Sequence, residues 1–217
     1  MAETSGDGLT VLIVGATGLV GSHVLQLALE DPAVAKVIAP TRRPLPPHEK
    51  LLSPQVDFNQ LPTEADWWRA DAVICTLGTT IKAAGSQLAF RRVDHDYPLD
   101  VARLAKAYGT STYVLTSAIG ADAKSRFFYN RVKGQLEKEL EAQRFTSLTI
   151  VRPGIIGGKR PEFRLGERVF LHAMRLIGPL LPRQWRVSPA DNIARALLTA
   201  AISQKPGIHI IPASELA

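Results

Sequence analysis

Leu12-Ile13-Val14-Gly15-Ala16-Thr17-Gly18-Leu19-Val20-Gly21 is the stretch that decides how the rest of this chain is read. An apolar run of strand character ends at Val14, and three glycines then recur at every third position. Glycine tolerates positive φ and lets the backbone come close to a ligand. A strand that turns sharply into a helix leaves the first helical amides aimed at an anion, in the field of the helix dipole. Residues Gly15, Ala16, Thr17, Gly18, Leu19, Val20 and Gly21 therefore read as a dinucleotide-binding turn. A plain strand-to-helix turn uses the same residue types, so the reading depends on the flanks.

The flanks alternate strand and helix. Thr10–Val14 reads as a strand and Leu19–Glu30 as a helix, with apolar residues at 20, 24, 27 and 28. Strands are expected at Lys36–Ala39, Ala72–Leu77, Thr112–Thr116, Ser147–Val151 and Ile208–Ile211, with a weaker one around Gln55–Phe58. Helices are expected at Leu88–Tyr108, Phe127–Gln143, Gly166–Ile177 and Pro189–Ile202. Pro98 should bend the first of these or mark a late start capped by Asp96. Ala72–Leu77 is a continuous apolar run, as suits a strand buried on both faces. The alternation implies an α/β fold: a doubly wound, mainly parallel sheet with helices on both faces. Ligands of such sheets bind at the carboxyl ends of the strands.

The chain has 217 residues, 46% of them hydrophobic and 21% charged, which fits one domain spanning 9–217 behind a polar tail at 1–8. The tail lacks the apolar core of a signal peptide, and no run is long enough to span a bilayer. With one cysteine, Cys75, there is no internal disulfide framework, and a cytoplasmic address is expected. Cys75 reads as a small core residue, and His23, His95 and His172 have no metal-site spacing. Trp67-Trp68 should pack against the sheet edge or form a partner surface, and Trp185 is a candidate for lining a substrate cleft. Between 152 and 186 eight basic residues face only Glu162 and Glu167, which carries the whole net charge of +6. Such a segment suits an anionic ligand or a solvated helix face. No nucleic-acid module accompanies it.

The end of the second strand selects between cofactors. NAD-binding versions place a carboxylate there for the adenosine ribose, but this chain has Arg42-Arg43 and no acid before Glu49. Two guanidiniums would match a 2′-phosphate, which favours NADP(H); the other reading is a pair of surface arginines.

Of the four tyrosines only Tyr129 is followed by lysine four residues on, at Lys133, so both side chains share a helix face. Ser117 comes directly after the preceding strand. A phenol is a poor acid or base at neutral pH, and a nearby ammonium makes its anion easier to reach. Ser117, Tyr129 and Lys133 are therefore the candidate catalytic residues, with Ser117 orienting a substrate oxygen. An exposed helix tyrosine beside a solvated lysine is the bland alternative.

With these residues in view, the sequence resembles the short-chain dehydrogenases/reductases of the atypical or extended type. It is most similar to the Tat-interacting-protein-like NADPH-binding oxidoreductases and their bacterial relatives. The resemblance rests on Gly15–Gly21, Arg42-Arg43, residues 75–80, 93–97, Ser117, Tyr129 with Lys133, and Arg152-Pro153-Gly154, and extends to Ser188 and 191–194. It implies a Rossmann-like sheet binding NADPH. Leu77, Gly78 and Thr79 would pass beside the adenosine and ribose. Lys133 would also hold the nicotinamide ribose, beside Tyr129, and Pro153, Gly154, Ile155 and Ile156 would pack on the nicotinamide. Asp94 stands where many relatives carry an asparagine that organises a water-linked proton path through the lysine. The chain also lacks most of the C-terminal substrate lobe of sugar-nucleotide epimerases. The expected partner is a small substrate, possibly anionic, with the chain a monomer or a homodimer through the Tyr97 and Tyr129 helices. A non-catalytic NADPH sensor or scaffold is the competing expectation.

Overall fold

The computed structural model describes residues 8–157 and 187–217. The expected helix at Gly166–Ile177, His172, Trp185 and most of the basic segment lie outside these residues. Strands β1 (Leu9–Val14), β2 (Val34–Ile38), β3 (Leu51–Leu52), β4 (Ala72–Cys75), β5 (Thr112–Thr116), β6 (Ser147–Arg152) and β9 (Gly207–Pro212) form one sheet. Its order is β3-β2-β1-β4-β5-β6-β9, and every pairing is parallel. Two short strands, β7 (Ile155–Gly157) and β8 (Val187–Pro189), pair separately.

Alternation along the strands builds two cores. Val11 and Ile13 of β1 face helices α1 (Leu19–Glu30) and α6 (Ala190–Ser203), where Val24, Ile193 and Leu197 are fully buried. Leu12 and Val14 point to the opposite face, covered by α4 (Tyr97–Ala107) and α5 (Phe128–Ala142). Trp68 is fully buried in that second core and donates its indole N–H to Pro62 O. Each fully buried large aliphatic side chain contributes about 1.5–3 kcal/mol relative to exposure. The sheet is therefore covered on both faces, as the apolar run in β4 requires.

Winding runs outward from β1 through β2 to β3, then back across β1 to β4, β5 and β6. The reversal lies between β1 and β4, where Val14 pairs with Cys75. This is a Rossmann-like doubly wound sheet, and its crevice opens beyond Gly15 and Thr76.

Three expectations need correction. The strand placed at Gln55–Phe58 is instead β3 at Leu51–Leu52; Gln55 makes only an isolated bridge to Thr41. Leu88–Tyr108 is not one α-helix. It divides into α3 (Gln87–Arg91), one π-helical turn (Arg92–Asp96) and α4. Asp96 does not cap α4: the backbone is already helical there, and its carboxylate lies 2.8 Å from His95 Nδ1. Pro98 stands at the opening of α4, directly after the π-helical turn, whose last hydrogen bond runs from Tyr97 N–H to Arg92 O.

Gly134 sets how closely α5 approaches the loop before it. A Cβ there would lie 2.2 Å from both Ala123 N and Asp122 C, which are backbone atoms. Gly134→Ala should therefore destabilise the fold by about 3 kcal/mol, the upper end for overpacking. A denaturant melt should move to a clearly lower midpoint, and an unchanged midpoint would contradict this packing.

Candidate cofactor and active site

The glycine turn forms the floor of the crevice. Gly15 has φ +86°, open to glycine at little cost, and its carbonyl accepts Gly18 N–H at 2.9 Å. A Cβ on Gly21 would lie 2.1 Å from Gly15 O and 2.6 Å from Thr76 Oγ1, so only glycine lets α1 start this close to the turn. No side chain caps α1, and its first turn holds no acidic residue. The free amides and positive dipole end thus face the crevice, the arrangement a pyrophosphate requires. Thr116 Oγ1, at the carboxyl end of β5, is buried without a hydrogen-bond partner among the described residues. Cradle and uncapped helix together fit a dinucleotide.

Arg42 and Arg43 follow β2, the neighbour of β1, and are exposed; neither makes a salt bridge among the described residues. Thr41 anchors this corner, donating its hydroxyl to Arg43 O at 2.6 Å. Leu77, Gly78 and Thr79 lead away from β4 along the same edge, and Thr80 caps the short helix α2 (Ile81–Ala84). Pro153 O accepts Ile119 N–H at 2.8 Å, and Gly154 N–H donates to Ser188 Oγ at 3.3 Å. Ile155 and Ile156 then pair with Val187 and Ser188 in β7–β8, leaving Ile155 partly exposed.

Tyr129 and Lys133 share one face of α5, as their spacing requires. Tyr129 is half-buried, with its ring 5.6 Å from that of Phe90. Burial pushes its phenol above the ordinary range; the Lys133 ammonium pulls it down and Asp94 pushes it up. Lys133 is buried, and its Nζ lies 2.7 Å from Asp94 Oδ1. Burial alone would lower the lysine, but Asp94, helped by Tyr129, holds it above its usual value. The other Asp94 oxygen accepts Thr79 N–H at 2.7 Å. The π-helical turn makes this possible by burying Asp94 and His95 side by side.

Ser117 is not brought into this set. It is buried at the end of β5, and its hydroxyl donates to Glu137 Oε1. Glu137 in turn takes Arg152 Nε at 3.0 Å and an Arg152 terminal nitrogen on its second oxygen. That fork also holds the Arg152 guanidinium above its usual pKa. The expectation that Ser117 aims its hydrogen at a substrate oxygen therefore does not match this arrangement, because that hydrogen is already given to a carboxylate. Cys75 is fully buried and burial pushes its thiol up, consistent with a core residue.

Glu137 escaped the sequence reading although a signal was present. It lies four residues beyond Lys133, on the stripe that carries Tyr129, among the inward residues Val132, Leu136 and Leu140. An acid in such a stripe needs a partner, and Arg152 supplies it.

Known proteins agree with this geometry. A protein-family model described as NAD(P)H-binding matches residues 15–167. The chain is 36% identical over 206 residues to Protein HTATIP2 of Rattus norvegicus, covering 91% of this chain and 83% of that protein. It is 34% identical over 210 residues to Protein fmp52, mitochondrial, of Emericella nidulans, covering 91% and 89%. That name places the fungal relative in mitochondria, so relatives do not support the cytoplasmic address expected from composition. Among the described residues no helix is long and apolar enough to cross a membrane. Of solved structures, MoeE5 in complex with UDP-glucose and NAD aligns with a TM-score of 0.71 at 18% identity, covering 93% of this chain and 74% of that one. The PhqB reductase domain from Penicillium fellutanum aligns at 0.68 and 21%, covering 96% and 68%. These two likenesses concern the fold. The glycine cradle, the matching family model and the extended identity to HTATIP2 and fmp52 show that this chain belongs to the NAD(P)H-binding family of oxidoreductase-like Rossmann proteins.

Proposed function

We propose that the chain is an NADPH-dependent oxidoreductase of the short-chain dehydrogenase/reductase type, reducing a small carbonyl-type substrate. The observation that carries this reading is the Tyr129–Lys133 pair on α5, at the edge of the sheet where the glycine cradle opens. When bound, NADPH supplies the hydride. Tyr129 then gives its phenolic proton to the carbonyl oxygen as the carbon accepts that hydride. Lys133 holds the phenolate that remains, and one of its three N–H donors is already committed to Asp94. Leu77, Gly78 and Thr79 flank the adenosine half, and Pro153, Gly154, Ile155 and Ile156 the nicotinamide half. Ser117 acts on the substrate only by rotating its hydroxyl away from Glu137. The basic residues after Arg152 favour an anionic substrate.

The cofactor is NADPH rather than NADH because Arg42 and Arg43 stand where a ribose carboxylate would otherwise be. Arg42→Ala with Arg43→Ala should weaken NADPH binding about a hundredfold, the loss of two charge-assisted contacts, and leave NADH within about threefold. Titration calorimetry with both cofactors checks this. Equal NADPH and NADH affinities in the unmodified chain would contradict it.

A second reading is a non-catalytic NADPH sensor, favoured by the commitment of the Ser117 hydroxyl to Glu137. A panel of aldehydes and ketones separates the two. Carbonyl-dependent NADPH oxidation supports the enzyme, and tight NADPH binding with no oxidation of any carbonyl supports the sensor.

A further inference from the structure

Position 94 is built for a carboxylate and for nothing close to it in shape. Two donors converge on the side chain from different elements. Lys133 Nζ, from α5, approaches Oδ1 at 2.7 Å, and Thr79 N–H, from the loop after β4, approaches Oδ2 at 2.7 Å. Asp94 is 1% exposed, so neither oxygen has water as a substitute. An asparagine here would turn its NH2 group towards one of the two donors and leave that pair repelling. Gly78 lies across the pair: a Cβ there would be 3.4 Å from Asp94 Oδ1 and 3.9 Å from Lys133 Nζ. The ion pair is thus enclosed between the loop that leads from β4 and the helix that bears Tyr129.

Resting on the oxidoreductase reading for its functional meaning, we propose that Asp94 is the positioning residue of the site, tying Lys133 to the Gly78-Thr79 turn and poising Tyr129 with Lys133 to give a proton rather than take one. The charge count carries the second half. With Asp94 ionised, the cluster of carboxylate, ammonium and phenol is neutral, and loss of a proton leaves a buried net negative charge. With an asparagine the same loss would take the cluster from positive to neutral, which is far easier. Among the described residues, the charged and titratable groups facing the pair are Asp94 from the π-helical turn and Cys75 from β4, in addition to Tyr129 and Lys133 themselves. In the reductive direction the balance would close: Tyr129 would give its proton to the carbonyl oxygen, and the hydride for the carbonyl carbon would come from NADPH, oxidised thereby to NADP⁺. Solvent then returns the proton to Tyr129.

The test needs no substrate. Tyrosine labelled with 13C at Cζ and lysine labelled at Cε are titrated by NMR in the full chain, with Tyr129→Phe and Lys133→Gln assigning the two signals. In Asp94→Asn the first proton lost from the Tyr129–Lys133 pair should leave about one pH unit or more lower than in the unmodified chain, whichever residue releases it. A folded Asp94→Asn protein in which both signals titrate unchanged would overturn the proposal. If Asp94→Asn does not fold, Lys133→Gln should raise the Tyr129 midpoint, and Asp94→Asn added to it should bring that midpoint back down. No return in the double variant would overturn the proposal equally. A shifted titration in a protein that turns over no carbonyl would contradict the oxidoreductase reading and leave the role of Asp94 standing.

Discussion

Tyr129→Phe is expected to lower kcat for carbonyl reduction by about a thousandfold or more while leaving the NADPH dissociation constant within about twofold. The substitution removes one oxygen and keeps the ring against Phe90, 5.6 Å away. Tyr129 is half-exposed and donates no hydrogen bond within the described residues, so little stability depends on its hydroxyl. In the proposed reaction, only the proton destined for the product is lost. Burial and Asp94 keep the phenol protonated, and the same groups make it a reluctant base. Reduction should therefore hold its rate across neutral pH and decline only as the pH climbs towards the phenol's raised value. Single-turnover mixing of enzyme, NADPH and carbonyl, beside equilibrium titration of NADPH, separates chemistry from binding. Turnover surviving the substitution would remove Tyr129 from the mechanism.

Gly21→Ala carries the second large effect. Its new methyl would meet Gly15 O at 2.1 Å and Thr76 Oγ1 at 2.6 Å, so the turn or the whole start of α1 has to move. The displaced atoms include those that aim the α1 amides, and NADPH affinity should fall by about a hundredfold or more with a destabilisation of about 1–3 kcal/mol. Gly18→Ala is the control within the same turn. Its backbone has φ −78°, accessible to alanine, and its Cβ would approach only Gly15 O, at 3.2 Å. Thermal melts and NADPH titrations should rank Gly21→Ala well below Gly18→Ala. The reverse ranking would contradict the close approach of α1 to β1.

The fold was legible because its signals are local and repeated. The strand–glycine–helix sequence at 12–30 and the apolar run at 72–77, of which 72–75 form β4, each carry their own pattern, and parallel winding follows from their alternation. The edge of the sheet was harder to read. β3 pairs through only two residues, Leu51 and Leu52, and is fixed by hydrogen bonds from Val37 and Ala39 rather than by a pattern of its own. The π-helical turn at 92–96 was hidden for a different reason. One extra residue in a turn does not disturb the apolar spacing enough to see, yet it rotates Asp94 and His95 inward together. Asp94 drew notice in the sequence only as an unusual residue, because its partners Thr79 and Lys133 are 15 and 39 positions away. Ser117 shows the converse failure. Its place after β5 was read correctly, but the direction of its hydroxyl depends on Glu137 and Arg152, which only the fold brings together.

The most direct measurement is transfer of deuterium from NADPH labelled separately at each C4 position to carbonyl substrates, followed by mass spectrometry of the alcohol. The account predicts label in the alcohol from one of the two NADPH stereoisomers, one deuterium per NADPH consumed, with the label appearing about a thousandfold more slowly or not at all with Tyr129→Phe. NADPH that binds tightly, with neither isomer passing its deuterium to any carbonyl, would contradict it.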